Sequence, residues 1–281
     1  MPRLVCCNEL LSRQGLDLRA QCRFAKAVGY DALELAIESF PADPRALTDG
    51  QVRAMRQTAA DEGMEIAGLH WLLSSAPALS ITKPAVAGGT TDYLLRLVDI
   101  CAALGGHVLI HGSPQQRRPL AGIADAATYD HAAELFTPVA RACHDAGLTY
   151  CIEPLSRDQT PFINTLADAR RLVEMVGSLA FKTMLDCSSA ALAEAESVPA
   201  LIEKWMPTGL IAHVHLNDSN RGAPGTGTDD FSAIIAALIA SGYSGDLSVE
   251  PFTTRVSAEV TLAIAAATTR AHLQTHGRTT P

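Results

Sequence analysis

Short apolar, β-rich runs recur along the chain, separated by stretches with helical periodicity. The runs are RLVCCNE (3–9), ALELA (32–36), EIAGLHWL (65–72), HVLIHGS (107–113), LTYCIEPL (148–155), FKTMLDC (181–187), LIAHVHLN (210–217) and GDLSVEPF (245–252). Between them, Phe231, Ile234, Ile235, Leu238 and Ile239 follow the i, i+3, i+4, i+7, i+8 spacing of a one-sided helix, as do Leu94, Leu97, Val98 and Cys101. Thr165 with Asp168 reads as a capping box, and Gly177 as the stop of the helix it opens. Eight strand–helix units in alternation predict an α/β fold, a (β/α)8 TIM barrel, as one domain over residues 1–281 with a polar tail at 275–281. An open doubly wound sheet would want a glycine-rich loop after the first strand, and CCNELLSRQG supplies none. Residues 74–90 read as a long loop above the barrel, in the position of a lid.

Composition narrows the partners. A hydrophobic share of 48% fills a large core, and with only 5% aromatics the packing falls to Ala, Leu, Val and Ile. A net charge of −8 leaves no electrostatic footprint for nucleic acid. No apolar run approaches the roughly 18 residues that span a bilayer, and MPRLVCCNEL lacks a signal-peptide pattern. Seven cysteines, an odd number without a C-x-x-C, read as small buried hydrophobes in a reducing cytoplasm. The expected partner is a small molecule, with no nucleic acid and no membrane.

In such a barrel, chemistry gathers where strands end. Strands 3 to 8 end on Leu69-His70-Trp71, Ile110-His111-Gly112, Ile152-Glu153-Pro154, Leu185-Asp186-Cys187, His213-Val214-His215 and Val249-Glu250-Pro251. Glu153, Asp186, His215 and Glu250 stand 33, 29 and 35 residues apart, one strand–helix unit each. Three carboxylates around one rim repel strongly unless a cation sits between them. The oxygen-rich set suits Mn²⁺, Mg²⁺ or Co²⁺ better than a thiolate site, with Zn²⁺ a further candidate. His213 and His215 share one face of strand 7. His215 lies nearer the rim and is assigned as the ligand, and His213 supports from one layer below. His70 and His111 are expected at the pocket mouth as substrate-binding groups, and Trp71 as a pocket wall. Arg117 and Arg118 read as a phosphate clamp or as a solvated pair. Asn217 and Asp218 orient the loop after strand 7.

The motifs GLHWLL (68–73), HGSPQQR (111–117), IEPLSRDQTPFINT (152–165), MLDCSS (184–189), HVHLNDSNRGAPGTGTDDF (213–231) and GYSGDLSVEPF (242–252) together resemble the xylose-isomerase-like TIM barrels, and within them the sugar phosphate isomerase/epimerase group with the D-tagatose and D-psicose 3-epimerases. The resemblance implies a divalent metal on Glu153, Asp186, His215 and Glu250, with Glu153 and Glu250 also the catalytic acid–base pair. It implies substrate contact by Arg221 and by the residues at 159 and 189. Those two positions depart from the family motif: Gln159 stands for Glu, and Ser189 for His. The implied activity is an isomerase, a ketose epimerase or aldose–ketose isomerase, that abstracts a proton beside a carbonyl and passes through an enediolate. It acts on a carbohydrate, and a homo-oligomer, dimer or tetramer, is compatible with it. Three alternatives share the scaffold: a keto-sugar or inosose-type dehydratase, an endonuclease IV-like phosphodiesterase, and a non-catalytic sugar-binding barrel. The acidic charge and the missing histidine at position 189 disfavour the phosphodiesterase.

Overall fold

All eight apolar runs contain strands in the computed structural model, which describes residues 2–122 and 125–277. The strands are β1 Leu4–Cys7, β2 Ala32–Ala36, β3 Glu65–His70, β4 Val108–His111, β5 Thr149–Ile152, β6 Phe181–Asp186, β7 Ile211–Leu216 and β8 Leu247–Val249. They pair in parallel in chain order, and Leu4 opposite Leu247 with Cys6 opposite Val249 joins β8 back to β1, closing the barrel. An outer helix follows each strand: Leu18–Val28, Asp49–Asp61, Ala87–Leu104, Asp125–Ala146, Leu166–Val176, Val198–Trp205, Phe231–Ala240 and Ala258–Gly277. The capping box is present at Thr165 and Asp168, and Gly177 ends that helix at φ +64°.

Strand alternation splits the core into two layers. Leu109, Tyr150 and Phe181 face outward, where Tyr150 and Phe181 stack 5.6 Å apart and Phe136 of the helix Asp125–Ala146 packs on both. The opposite faces supply the barrel interior, with Val108, Ile110, Cys151 and Met184 in one cluster and Val5, Ala32 and Ala67 in another. Two bulges adjust this interior. The register against β2 skips Ala67, so that Leu33 faces Ile66 and Glu34 faces Gly68. A Cβ at Gly68 would lie 2.3 Å from the Val108 carbonyl oxygen, so only glycine fits the close approach. The register of β6 on β7 skips Ala212, bringing His213 opposite Met184 and His215 opposite Asp186.

One sequence expectation is corrected. Residues 84–90 are not loop: Pro84–Val86 form a 3-10 turn that leads directly into the helix Ala87–Leu104. Thr90 secures this start, its hydroxyl donating to the Val86 carbonyl and accepting from the Ser80 N–H. At the other end, residues 275–277 belong to the helix Ala258–Gly277, and 278–281 lie outside the described residues.

The opposite end of the barrel, where the strands begin, is tied by ions. Arg3 donates to both oxygens of Asp246 (2.8 and 2.9 Å), and His107 approaches the same carboxylate at 3.0 Å. Burial alone would raise the Asp246 carboxyl, but hydrogen bonds from His107 and Arg3 hold it at about 2. A depressed carboxyl stabilises the fold above its unfolded pKa, and this contribution fades as pH falls through the folded value. Asp246→Asn should therefore cost about 1–2 kcal/mol near neutrality, with the gap to wild type closing as pH falls from about 4 toward 2. Denaturant unfolding at pH 7 and at pH 3 measures both, and equal stability of the two proteins at pH 7 contradicts the assignment.

Candidate metal centre

Glu153 follows the last residue of β5, Asp186 ends β6, His215 lies near the end of β7, and Glu250 follows β8. All four are at most 2% exposed. Each offers a donor atom, and these atoms lie within 4.8 Å of one another. Asp186 is braced on both oxygens, by the Ser189 N–H at 2.6 Å and by the Asn217 amide at 2.7 Å. Asn217 also donates to the Glu250 carbonyl (3.1 Å) and accepts from the Ser188 N–H (2.8 Å), so one side chain joins the ends of β6, β7 and β8. His215 holds Glu250 Oε2 through Nδ1 at 3.0 Å and Glu34 Oε1 through Nε2 at 3.0 Å. Glu250 Oε1 has no hydrogen-bond partner among the described residues. Glu153 needs a glycine beside it, because a Cβ at Gly112 would sit 1.8 Å from Glu153 Oε2.

The electrostatics are those of crowded anions in a dry site. Burial, and then the charges of Glu250 and Asp186, push the Glu153 carboxyl well up. Burial raises Glu250 against the opposing pull of His215. Burial would lower the His215 imidazole, but Glu250 and Glu34 hold it well above its ordinary value. Glu34 is held well below the carboxylate range by His213 and His215, against its own burial. A divalent cation would relieve the repulsion and give the orphaned Glu250 oxygen a partner, so the residues present fit one. Cys7 lies close to Glu34 and His215, and to His70 and Glu250. Burial pushes its thiol well up, away from the thiolate a metal would need.

A cavity of about 310 Å³ opens beside this group. Glu153, Trp71 and Gln159 line it with Phe252, Leu155 and Gln116. The Trp71 ring stacks on Phe252 with centroids 5.9 Å apart, while the Arg13 guanidinium lies 4.9 Å from the Trp71 ring centre. Gln159 accepts from the Ser156 hydroxyl at 3.0 Å. Arg221, at φ +61°, reaches Ser156 and Asp158 on the loop after β5, and its carbonyl accepts from Phe252 and Thr253 after β8. Ser189 lies in the first turn of the short helix after β6, nearly buried.

The structure does not bring His111 to the pocket. Its Nδ1 meets the Tyr150 hydroxyl at 2.6 Å and its ring meets Phe136 edge-on, in the outer layer under the helices. Arg117 is neither a phosphate clamp nor solvated. It is fully buried and donates to the backbone carbonyls of Glu153 (2.6 Å) and His111. Arg118, by contrast, is exposed and donates to the Gln159 carbonyl. His70 is fully buried below the pocket, 3.2 Å from Glu9, 3.3 Å from Glu34 and 3.9 Å from Glu250. Glu34 and Glu9, both fully buried, escaped the sequence reading. Glu34 carried a usable signal, a carboxylate inside the apolar run ALELA, whereas Glu9 sits on the short helix Glu9–Arg13 without one.

The family model described as "Xylose isomerase-like TIM barrel" matches residues 22–274. The chain belongs to this family. Its curated relatives include L-ribulose 3-epimerase of Mesorhizobium japonicum, 29% identical over 82% of this chain and 74% of that protein. D-psicose 3-epimerase of Agrobacterium fabrum is 28% identical over 80% of this chain and 76% of that protein. These relatives are ketose 3-epimerases, enzymes of the isomerase class. A solved L-ribulose 3-epimerase superposes with a TM-score of 0.82 at 23% identity, covering 99% of this chain and 96% of that one, a likeness of fold. No helix among the described residues is long and apolar enough to cross a membrane.

The fit at Gly112 is open to a direct test. Gly112→Ala should displace the Glu153 carboxylate and weaken Mn²⁺ binding by roughly 10- to 100-fold, the loss seen when the support of a metal ligand is removed. Calorimetric titration with Mn²⁺ reads the affinity, circular dichroism verifies the fold, and wild-type affinity in a folded variant refutes the fit.

Proposed function

We propose that this chain is a divalent-metal-dependent sugar epimerase that inverts the carbon next to the carbonyl of a ketose. The observation that carries this reading is the buried quartet of Glu153, Asp186, His215 and Glu250, its donor atoms within 4.8 Å of one another and Glu153 open to a cavity large enough for a sugar. The 3-epimerase activities of the relatives support a ketose substrate and carbon 3 as the reacting centre. Seven buried free thiols suit a reducing cytoplasm.

A bound Mn²⁺, Mg²⁺ or Co²⁺ would act as a Lewis acid, stabilising the negative charge that develops on the substrate's carbonyl oxygen. Glu153 and Glu250 would move the proton. Each side chain stands on a different strand end, so a sugar between them presents one face to each, and inversion follows when one glutamate takes the proton and the other returns one. Burial raises the proton affinity of both carboxyls, and a bound divalent cation would draw them back toward the ionised form that can accept a proton. Asp186 and His215 hold the geometry, the former locked by Ser189 and Asn217. Trp71 and Phe252 form an apolar wall that excludes water from the reacting carbon. Arg221 ties together the loops that would close over the sugar. Gln159 offers a neutral amide where the family motif offers a charge, which weakens polar grip on a hydroxyl at that point.

Two measurements test the reading. Elemental analysis and Mn²⁺ titration of wild type and His215→Ala should show one ion per chain in the first and at least a 100-fold weaker site in the second. Equal content and affinity in both removes His215 from the ligand set. In a metal-loaded Glu250→Gln variant, net epimerisation should fall by roughly 10³-fold or more. Exchange of the carbon-bound proton with D₂O should persist in the one epimer whose proton faces Glu153. Full turnover in that variant refutes the two-glutamate mechanism, and loss of water from the sugar during exchange identifies a dehydratase instead.

A further inference from the structure

We infer that Glu34, a residue of β2 outside the quartet, is a positioning residue that decides which nitrogen His215 presents to the cation. The inference rests on the ligand set proposed above. Glu34 is fully buried in the barrel interior, and its carboxylate is surrounded by donors. Oε1 meets His215 Nε2 at 3.0 Å and His70 Nδ1 at 3.3 Å, while Oε2 meets His213 Nε2 at 2.8 Å and the Ser248 hydroxyl at 2.8 Å. An ionised carboxylate only accepts, so its hydrogen-bonded neighbours, His215 Nε2 on one oxygen and the Ser248 hydroxyl on the other, turn a proton toward it. Contacts from β3, β7 and β8 bracket both oxygens, leaving the group no room to swing aside.

The consequence falls on His215. Its Nε2 meets Glu34 as Nδ1 meets Glu250, so when a cation takes the place of the Nδ1 proton the one that remains stays on Nε2. Nδ1 faces Glu250 Oε2 at 3.0 Å, on the side of the ring where the quartet converges. Without Glu34, the same imidazole would place its proton on Nδ1 toward Glu250, and the nitrogen nearest the carboxylates would carry a hydrogen instead of a lone pair. Glu34 thus selects the tautomer that can bind a cation, in the manner by which a carboxylate behind a ligating histidine fixes ring orientation and raises basicity. His213 contributes by holding Glu34 from below, which answers why β7 carries two imidazoles on one face.

The test reads the tautomer directly. In ¹⁵N-histidine-labelled protein loaded with diamagnetic Mg²⁺, the His215 resonances, assigned by their loss in His215→Ala, should show the proton on Nε2. A proton on Nδ1 in loaded wild type overturns the inference without recourse to a Glu34 variant. Glu34→Gln keeps the size but faces an amide N–H₂ toward groups that now donate. It should lower Mn²⁺ affinity by roughly 10- to 100-fold and, in protein stripped of metal and titrated until His215 is neutral, move the His215 proton from Nε2 at least partly to Nδ1. Wild-type affinity and an unchanged tautomer in Glu34→Gln overturn the inference. Should His215→Ala itself bind Mn²⁺ like wild type, it is the ligand set that fails, and the inference falls with it; loss in His215→Ala beside wild-type affinity in Glu34→Gln rejects Glu34 alone.

Discussion

Like charges confined in a water-poor space repel with an energy that several hydrogen bonds struggle to offset, and the mouth of this barrel confines Glu153, Asp186, Glu250, Glu34 and Glu9 within a few side-chain lengths. The surrounding structure is organised around that constraint. Imidazoles are interleaved with the carboxylates: His70 lies between Glu9 and Glu34, His215 between Glu34 and Glu250, and His213 under Glu34. The arrangement spreads protons along a continuous buried chain and leaves its surplus of negative charge at the upper end, beside Glu153. A divalent cation would find its place where the protein's own donors run out.

Holding that chain in place falls to residues with no place in it. Asn217 links three strand ends with one amide. Arg117 spends a fully buried guanidinium on backbone carbonyls of β4 and the residue after β5. Burial pulls its pKa down to about 10 despite the nearby Glu153, yet it stays charged at neutral pH and fixes the two strand ends between which Gly112 leaves room for the Glu153 carboxylate. Partners at Asn217 and at two of the Arg117 nitrogens offset part of the cost of burying them, while Arg117 Nε has no hydrogen-bond partner among the described residues.

The barrel was legible because eight short, mostly apolar runs bounded by turn residues alternate with helical patterns along the chain. The quartet was legible because its members interrupt apolar runs at their ends. Glu34 breaks its run in the middle, where a reading focused on strand ends passes over it. His111 shows the opposite error. It does end a strand, but position along a strand does not say which way a side chain points, and alternation places Ile110 inside and His111 under Phe136. The start of the helix Ala87–Leu104 was hidden by Ala87, Gly88 and Gly89, which carry no amphipathic pattern, so its boundary depends on Thr90 hydroxyl contacts that no spacing encodes. Arg117 looked like surface because arginine usually is.

The bulge that passes over Ala212 gives β7 an arithmetic that the other strands near it do not share. Side chains along a strand alternate like the squares of a chessboard row, and the skipped residue is what sets His213 and His215 on squares facing inward, level with Met184 and Asp186. Adding or deleting a single residue between Ile211 and His213 would change the parity of the row and turn both rings toward the helices. Replacing Ala212 side chain for side chain is therefore less disruptive than a change of length at that point.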